Sequence, residues 1–304
     1  MYRIWLTGLL ALLGTQVQAE SYYVSSTGRN TPPFSSWETA ATSIQGAVTA
    51  AAATPSATVW VRKGIYTGVG TDPVVTITRP LIMKSESGNP ADVIIDGQGA
   101  RRGILVVLKE DNDVVTISGI TVQDGFVNAS NGHGSGIFLD HTAIPGGRAE
   151  LTRCVISNCV NESPRHHNRG GGLASIGKAG SNFHTIVSGC RIAGNSVLDN
   201  GGFGGGAAFL RTRLTMDDCI VEKNRAGGTK SVDGFGGGVN VQDAPAGSVI
   251  RRSQFRDNIA TDGGGGGTGG GLRVSGDGTE LVIERCVFTG NTNQYGSGVM
   301  HESG

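Results

Sequence analysis

The chain has 304 residues, of which 51 are glycine, more than twice the usual share of about 7%. Lysine plus arginine (25) equals aspartate plus glutamate (25), which argues against a nucleic-acid partner or an anionic membrane recruited by bulk charge. At 38% hydrophobic and 16% charged the chain is too apolar for the disordered class, and its glycines lack the every-third spacing of collagen.

Arg3, the apolar run 4–13 and the small residues Val17 and Ala19 have the pattern of a secretory signal peptide cleaved after Ala19. The run falls short of the roughly 20 residues that span a bilayer, so residues 1–19 are expected to leave a secreted, periplasmic or cell-surface protein with no transmembrane segment. Residues 20–113 form a distinct entry segment. Ser35, Ser36 and Glu38 suggest a capping box, and Ala40, Ile44, Ala47, Val48 and Ala51 follow at helical spacing, which predicts one amphipathic helix over 38–53. Alternating apolar residues predict strands at 58–62, 74–77, 81–84, 93–95 and 104–108.

From residue 114 to 304 a repeat organises the chain. Glycine clusters begin at Gly134, Gly170, Gly204, Gly236, Gly269 and Gly296, at intervals of 36, 34, 32, 33 and 27 residues. Between them a second motif recurs: TRCVISNC from Thr152, SGCRIAGN from Ser188, DDCIVEKN from Asp217, RRSQFRDN from Arg251 and ERCVFTGN from Glu284. Each copy alternates apolar and polar residues around a bend, and each glycine cluster leads into another short alternating run. Three short strands per repeat with no helix between them predict an all-β, right-handed parallel β-helix of roughly eight turns, its first turn capped by the amphipathic helix.

Stacking the repeats aligns Cys154, Cys190, Cys219 and Cys286 in one inward column with Ile120 and Ser253. Five positions on lie Asn195, Asn224, Asn258 and Asn291, expected to form a structural ladder of asparagines at a sharp bend, where the residue tolerates left-handed backbone and can pass amide hydrogen bonds between turns. Parallel cysteines in a column do not point at one another, so the five thiols are expected to be mostly free core filler, with Cys159 at the bend as the exception.

The strings YYVSSTG, WETAATSIQGAV and VWVRKGIY, the FxxN tetrapeptides at 255–258 and 288–291, and the GG motifs resemble bacterial secreted β-helix proteins of the pectin-lyase-like superfold. The repeats are similar to those of polymorphic outer membrane proteins, which end in a membrane β-barrel. The resemblance implies the fold over residues 21–304 and contact with polysaccharide or a cell-surface glycan. The last apolar run, Val299 and Met300, lies just past a glycine cluster near the end of the sequence, which suggests a last coil that could stack on further repeats or on a partner.

Catalytic constellations are sparse. Gly132-His133-Gly134 resembles the GHG of polygalacturonases, but Asp217-Asp218 follows it rather than preceding it. The outward columns around Asp217, Asp218, Arg251, Arg252 and Glu284 alternate in sign from turn to turn, which suits a surface ion-pair ladder; a lyase would use such residues as Ca²⁺ ligands and base. His133, His166 and His167 are candidate binding residues, while Asp199, Asp233 and Asp262 form a looser acidic set. No resident metal or cofactor is called for, Ca²⁺ entering only with a lyase. The favoured reading is an adhesin-like or glycan-binding scaffold without catalysis; the alternative is a lyase or hydrolase acting on an acidic polysaccharide.

Overall fold

The computed structural model describes residues 20–54, 56–71, 73–129, 132–164, 168–198, 201–228, 233–261, 267–293 and 295–302. Residues 1–19, expected from the sequence to be a signal peptide, and His166, His167, Asp199 and Asp262 lie outside them. Each coil is built as the repeat predicts. In one of them, Arg213–Asp217 runs straight, turns at Asp218, continues as Ile220–Glu222, turns again at Lys223, and passes through Arg225–Ala226 to Val239–Gln242. Every strand pairs in parallel with its counterpart one coil later. The result is a parallel β-solenoid of about eight coils with three long sheets: sheet A from Ser21–Val24 to Leu281–Glu284, sheet B from Gly64–Thr67 to Val287–Thr289, and sheet C from Val75–Ile77 to Val299–Glu302. A short fourth sheet carries Phe126–Val127 and its four successors.

Alternation puts one side chain in two into the interior. Leu151, Val187, Met216 and Ile250 from sheet A meet Ile156, Ile192, Val221 and Phe255 from sheet B, all buried. Phe255 and Phe288 stack with centroids 4.7 Å apart. The last coil leaves this core open: Ile283, in register with the buried Ile250, is 38% exposed.

Two sequence expectations are corrected. The helix covers Ile44–Ala51, and its N-cap is Ser43, whose hydroxyl accepts from the Gly46 amide at 3.1 Å. Residues 38–41 cannot be helical because their backbone is bonded elsewhere: Arg29 donates to Glu38, Thr31 to Thr39, Asn30 to Ala40, and Ala41 to Tyr23. The helix buries Ile44, Ala47, Val48 and Ala51 against Ser21–Val24, Ala57–Val61 and Val75–Ile77. The second correction concerns the bends. Positive φ falls not on the asparagines but on the residues before them, Gly194, Lys223, Asp257 and Gly290. The asparagines supply hydrogen bonds instead. Asn195 donates from its backbone N–H and from Nδ2 to Asn224 Oδ1, each at 3.0 Å, and Asn224 and Asn258 repeat the pattern toward Asn258 and Asn291.

All five cysteines, Cys159 among them, are free thiols. Their column is also a hydrogen-bonded one: Cys154 N–H donates to Cys190 Sγ at 3.3 Å, and Cys219 N–H to Ser253 Oγ at 3.1 Å. At Ser253 a hydroxyl oxygen takes the acceptor place that a thiol sulfur fills at Cys190. Burial pushes the Cys159 thiol up to about 12 and the Cys219 thiol to about 11, so neither is a nucleophile at neutral pH.

A buried polar chain crosses the corner between sheets C and A. His141 Nε2 meets Ser175 Oγ at 3.0 Å, Ser175 meets Thr185 at 2.7 Å, Thr185 meets Thr212 at 3.0 Å, and Thr212 donates to the Phe183 carbonyl at 3.1 Å. The His141 ring lies flat on Phe183, centroids 3.8 Å apart. Burial lowers its pKa from 6.5 to about 3, so the native state holds it neutral while an unfolded chain takes up a proton below 6.5. Stability from this group is therefore full at neutral pH and declines as pH falls from about 6.5 toward 3. Between pH 7 and pH 4 the loss is about 3 kcal/mol. Urea unfolding at the two pH values should show it, and His141→Phe, which keeps the stack on Phe183, should reduce the difference by about 3 kcal/mol, while His133, held near 4 by burial, adds a loss of its own over the same range.

Candidate functional site

The predicted acidic and basic candidates lie where sheet A turns into sheet B. Asp217 Oδ2 accepts from Arg251 Nε and Nη2, both at 3.1 Å, and also from Arg252. Glu222, one strand on, joins Arg191 and Arg256 in the same way. Asp218 occupies the bend at φ 53, and Glu284 is exposed on the last strand, in register with Arg251. Asp217 thus faces two guanidinium groups, a setting that repels Ca²⁺ rather than collecting it. Among the described residues no group of three or more His, Cys, Asp or Glu is placed to hold a metal ion.

A different cluster emerges on the outward face of sheet C. The residue before each glycine cluster is joined to its counterpart by parallel bridges, forming the column His133, Arg169, Phe203, Phe235, Thr268, Tyr295. Beside it the strands present Phe138, Ala174, Ala208, Asn240 and Arg273 outward. Ala174, Ala208 and Asn240 are fully buried although they point away from the core. Sheet C is therefore covered on both faces through its middle coils.

The cluster is an alternation of rings and cations. Phe203 and Phe235 stack at 4.8 Å; Arg169 lies 4.7 Å from the centre of Phe203, and Arg273 lies 4.6 Å from that of Phe235. Arg169 Nη1 donates to Gln242 Oε1 at 2.9 Å, while Arg273 Nη1 donates to Asn240 Oδ1 at 3.1 Å and to Ser275 Oγ at 2.9 Å. Glu302 pairs with Arg273. Toward the start of the solenoid, Arg102 lies 5.3 Å from the Phe138 ring centre and donates to the carbonyls of His133 and Gly134. Arg102 also lines a cavity of about 240 Å³ with Pro73, Phe126 and Asn128.

Electrostatically the cluster is unbalanced. Among the described residues no carboxylate lies within ion-pair distance of Arg102 or Arg169. Burial draws both guanidinium groups down to about 10, against partial compensation from Asp140 and Asp243 respectively. His133 is held near 4, first by burial and then by the positive charges of Arg169 and Arg102. Asn240 Nδ2, Arg273 Nε and His133 Nδ1 are buried donor or acceptor atoms without a partner. Buried cations with few anions and several unpaired polar atoms form a site that gains from an anionic, hydrogen-bonding ligand.

Of the cluster only His133 stands among the sequence candidates. Aligning the residue immediately before each glycine cluster was the available signal, since it yields His, Arg, Phe, Phe, Thr and Tyr in one row.

Stacked parallel coils with an elaborated outward face define a parallel β-solenoid. The chain belongs to the right-handed beta helix region family, whose model matches residues 103–304. No curated protein and no solved structure matches the sequence. Among the described residues no helix is long and apolar enough to cross a membrane.

Proposed function

We propose that this protein is a secreted or cell-surface β-helix scaffold that binds an acidic glycan along the outward face of sheet C, without catalysis. The observation that carries the reading is the row of buried arginines interleaved with stacked phenylalanines, Arg169–Phe203–Phe235–Arg273, in which Arg273 has Glu302 as a partner and Arg169 has no carboxylate within ion-pair distance among the described residues. Each coil advances the row by about 4.8 Å, so an extended polymer with recurring carboxylates matches it better than a compact anion. The lyase or hydrolase reading has no such support: the carboxylate it would rely on, Asp217, is engaged by Arg251 and Arg252. Export rests on residues 1–19, and mature protein beginning at Glu20 would support it.

Calorimetric titration with oligogalacturonate tests the binding. Arg169→Ala combined with Arg273→Ala is expected to weaken it by about tenfold or more, since truncating a desolvated charged anchor costs about 2 kcal/mol or more. The wild-type affinity should fall as salt rises. Equal binding by the double variant would overturn this site, and release of unsaturated products that disappears in Asp217→Ala would establish the lyase instead.

A further inference from the structure

Sheet A carries a second outward feature of different chemistry. Its first strands align Tyr23, Trp60 and Lys84, and the same column continues through Ser118, Thr152 and Ser188. Trp37, from the segment that pairs back onto the first strand, meets Tyr23 edge to face with centroids 4.7 Å apart. All three rings are half-buried. Trp37 and Trp60 are the only tryptophans after residue 19, and both are used on this solvent-facing side rather than in the core. Large rings left on a surface, clustered rather than scattered, mark recognition sites because they offer much contact area at low entropy cost.

We infer that this patch binds the sugar rings of a neutral pyranose polymer lying along the coil axis. The local charges favour neutrality. Arg62 is held by Glu86 through two 2.9 Å hydrogen bonds, Lys63 pairs with Asp92 at 3.2 Å, and Arg29 with Glu38 at 2.8 Å. The fourth cation, Lys84, rests its ammonium 4.0 Å from the Trp60 ring centre, and Arg62 sits at the same distance over Trp37. A pyranose has an apolar face of C–H groups and a rim of hydroxyls. The rings of Trp37, Tyr23 and Trp60 suit the first through burial of apolar area. The Arg62–Glu86 pair suits the second through charge-assisted hydrogen bonds, as do the half-exposed hydroxyls of Ser118, Thr152 and Ser188. A parallel sheet with strands about 4.8 Å apart supplies a straight track for the chain. This site is independent of the arginine row on sheet C.

Tryptophan emission of the whole chain, titrated with xylohexaose, cellohexaose and mannohexaose in turn, tests the inference. At least one hexaose should give a saturable change that persists in about 0.5 M salt, where exposed charges are largely screened. Trp37→Ala and Trp60→Ala should each weaken that binding about tenfold or more, and Arg169→Ala with Arg273→Ala should leave it unaltered. Lys84→Ala, which uncovers the Trp60 ring without touching the core, should retain or strengthen it, and keeps the test valid if a tryptophan variant fails to fold. No saturable change with any of the three sugars would overturn the site, as would binding that survives both tryptophan substitutions. Binding lost in the arginine double variant would assign the sugar to sheet C instead, whereas failure of oligogalacturonate binding alone would sink only the sheet C reading.

Discussion

Gly205→Ala is expected to destabilise the protein by about 3 kcal/mol or more, or to prevent its folding. A methyl group at Gly205 would lie 2.3 Å from the Arg225 carbonyl carbon, 2.4 Å from its oxygen and 2.5 Å from the Gly237 oxygen. All three are backbone atoms of neighbouring strands or coils, so the clash cannot be relieved by turning a side chain, and opening the stack breaks ladder hydrogen bonds. The neighbouring glycines serve other needs: Gly204 holds φ at +69, and a methyl on Gly206 would lie 2.9 Å from the Asn224 amide carbon. Gly180→Ala is the control. Its φ is +74 with nothing within 4 Å of an added methyl, so it should cost only about 1 kcal/mol, the penalty for left-handed backbone. Urea unfolding of the two variants would separate steric from conformational cost; equal small effects would show that the coils can spread at the glycine corner.

Asn224→Ala should cost about 3 kcal/mol. The Asn224 amide accepts from the backbone N–H and side-chain Nδ2 of Asn195, and donates to the Ile192 carbonyl at 3.0 Å and to Asn258 Oδ1 at 2.9 Å. Alanine removes all four bonds and leaves the Asn195 N–H unpaired in a fully buried setting, where each orphaned group costs about 1–3 kcal/mol. Asn224→Asp should be worse than alanine at pH 7. The carboxylate would keep its acceptor role toward Asn195 but set oxygen against the Ile192 and Asn258 oxygens, with an uncompensated buried charge. Its deficit should shrink as pH falls and the carboxyl protonates. Thermal unfolding at pH 7 and pH 5 reads both effects, and a ranking of aspartate above alanine at pH 7 would contradict the hydrogen-bond pattern.

The sheet C cluster carries a corollary for His133. An anion placed beside Arg102 and Arg169 would offset the positive field that helps hold His133 near 4, so ligand binding should raise its pKa.

The β-helix was legible in the chain because its evidence is one-dimensional. Apolar residues at alternate positions identify strands, recurrence at 27–36 residues sets the coil, and aligned repeats place Cys154, Cys190 and Cys219 or Ile156, Ile192 and Val221 in shared columns before any coordinate is known. What the repeat could not reveal depends on where side chains and backbone amides go after the coils stack. The helix begins at Ile44 rather than residue 38 because residues 38–41 spend their backbone bonds on the segment from Tyr23 to Thr31. The left-handed bends fall one residue before the asparagines, since the asparagine amide must reach along the axis to the next coil. The arginine row was hidden for the same reason: Arg169 finds Gln242, 73 residues away in sequence, because a long side chain laid along the axis crosses the intervening coil. Periodicity states which face of a strand a residue takes, whereas contacts along the solenoid axis arise only when separate coils are brought to strand spacing.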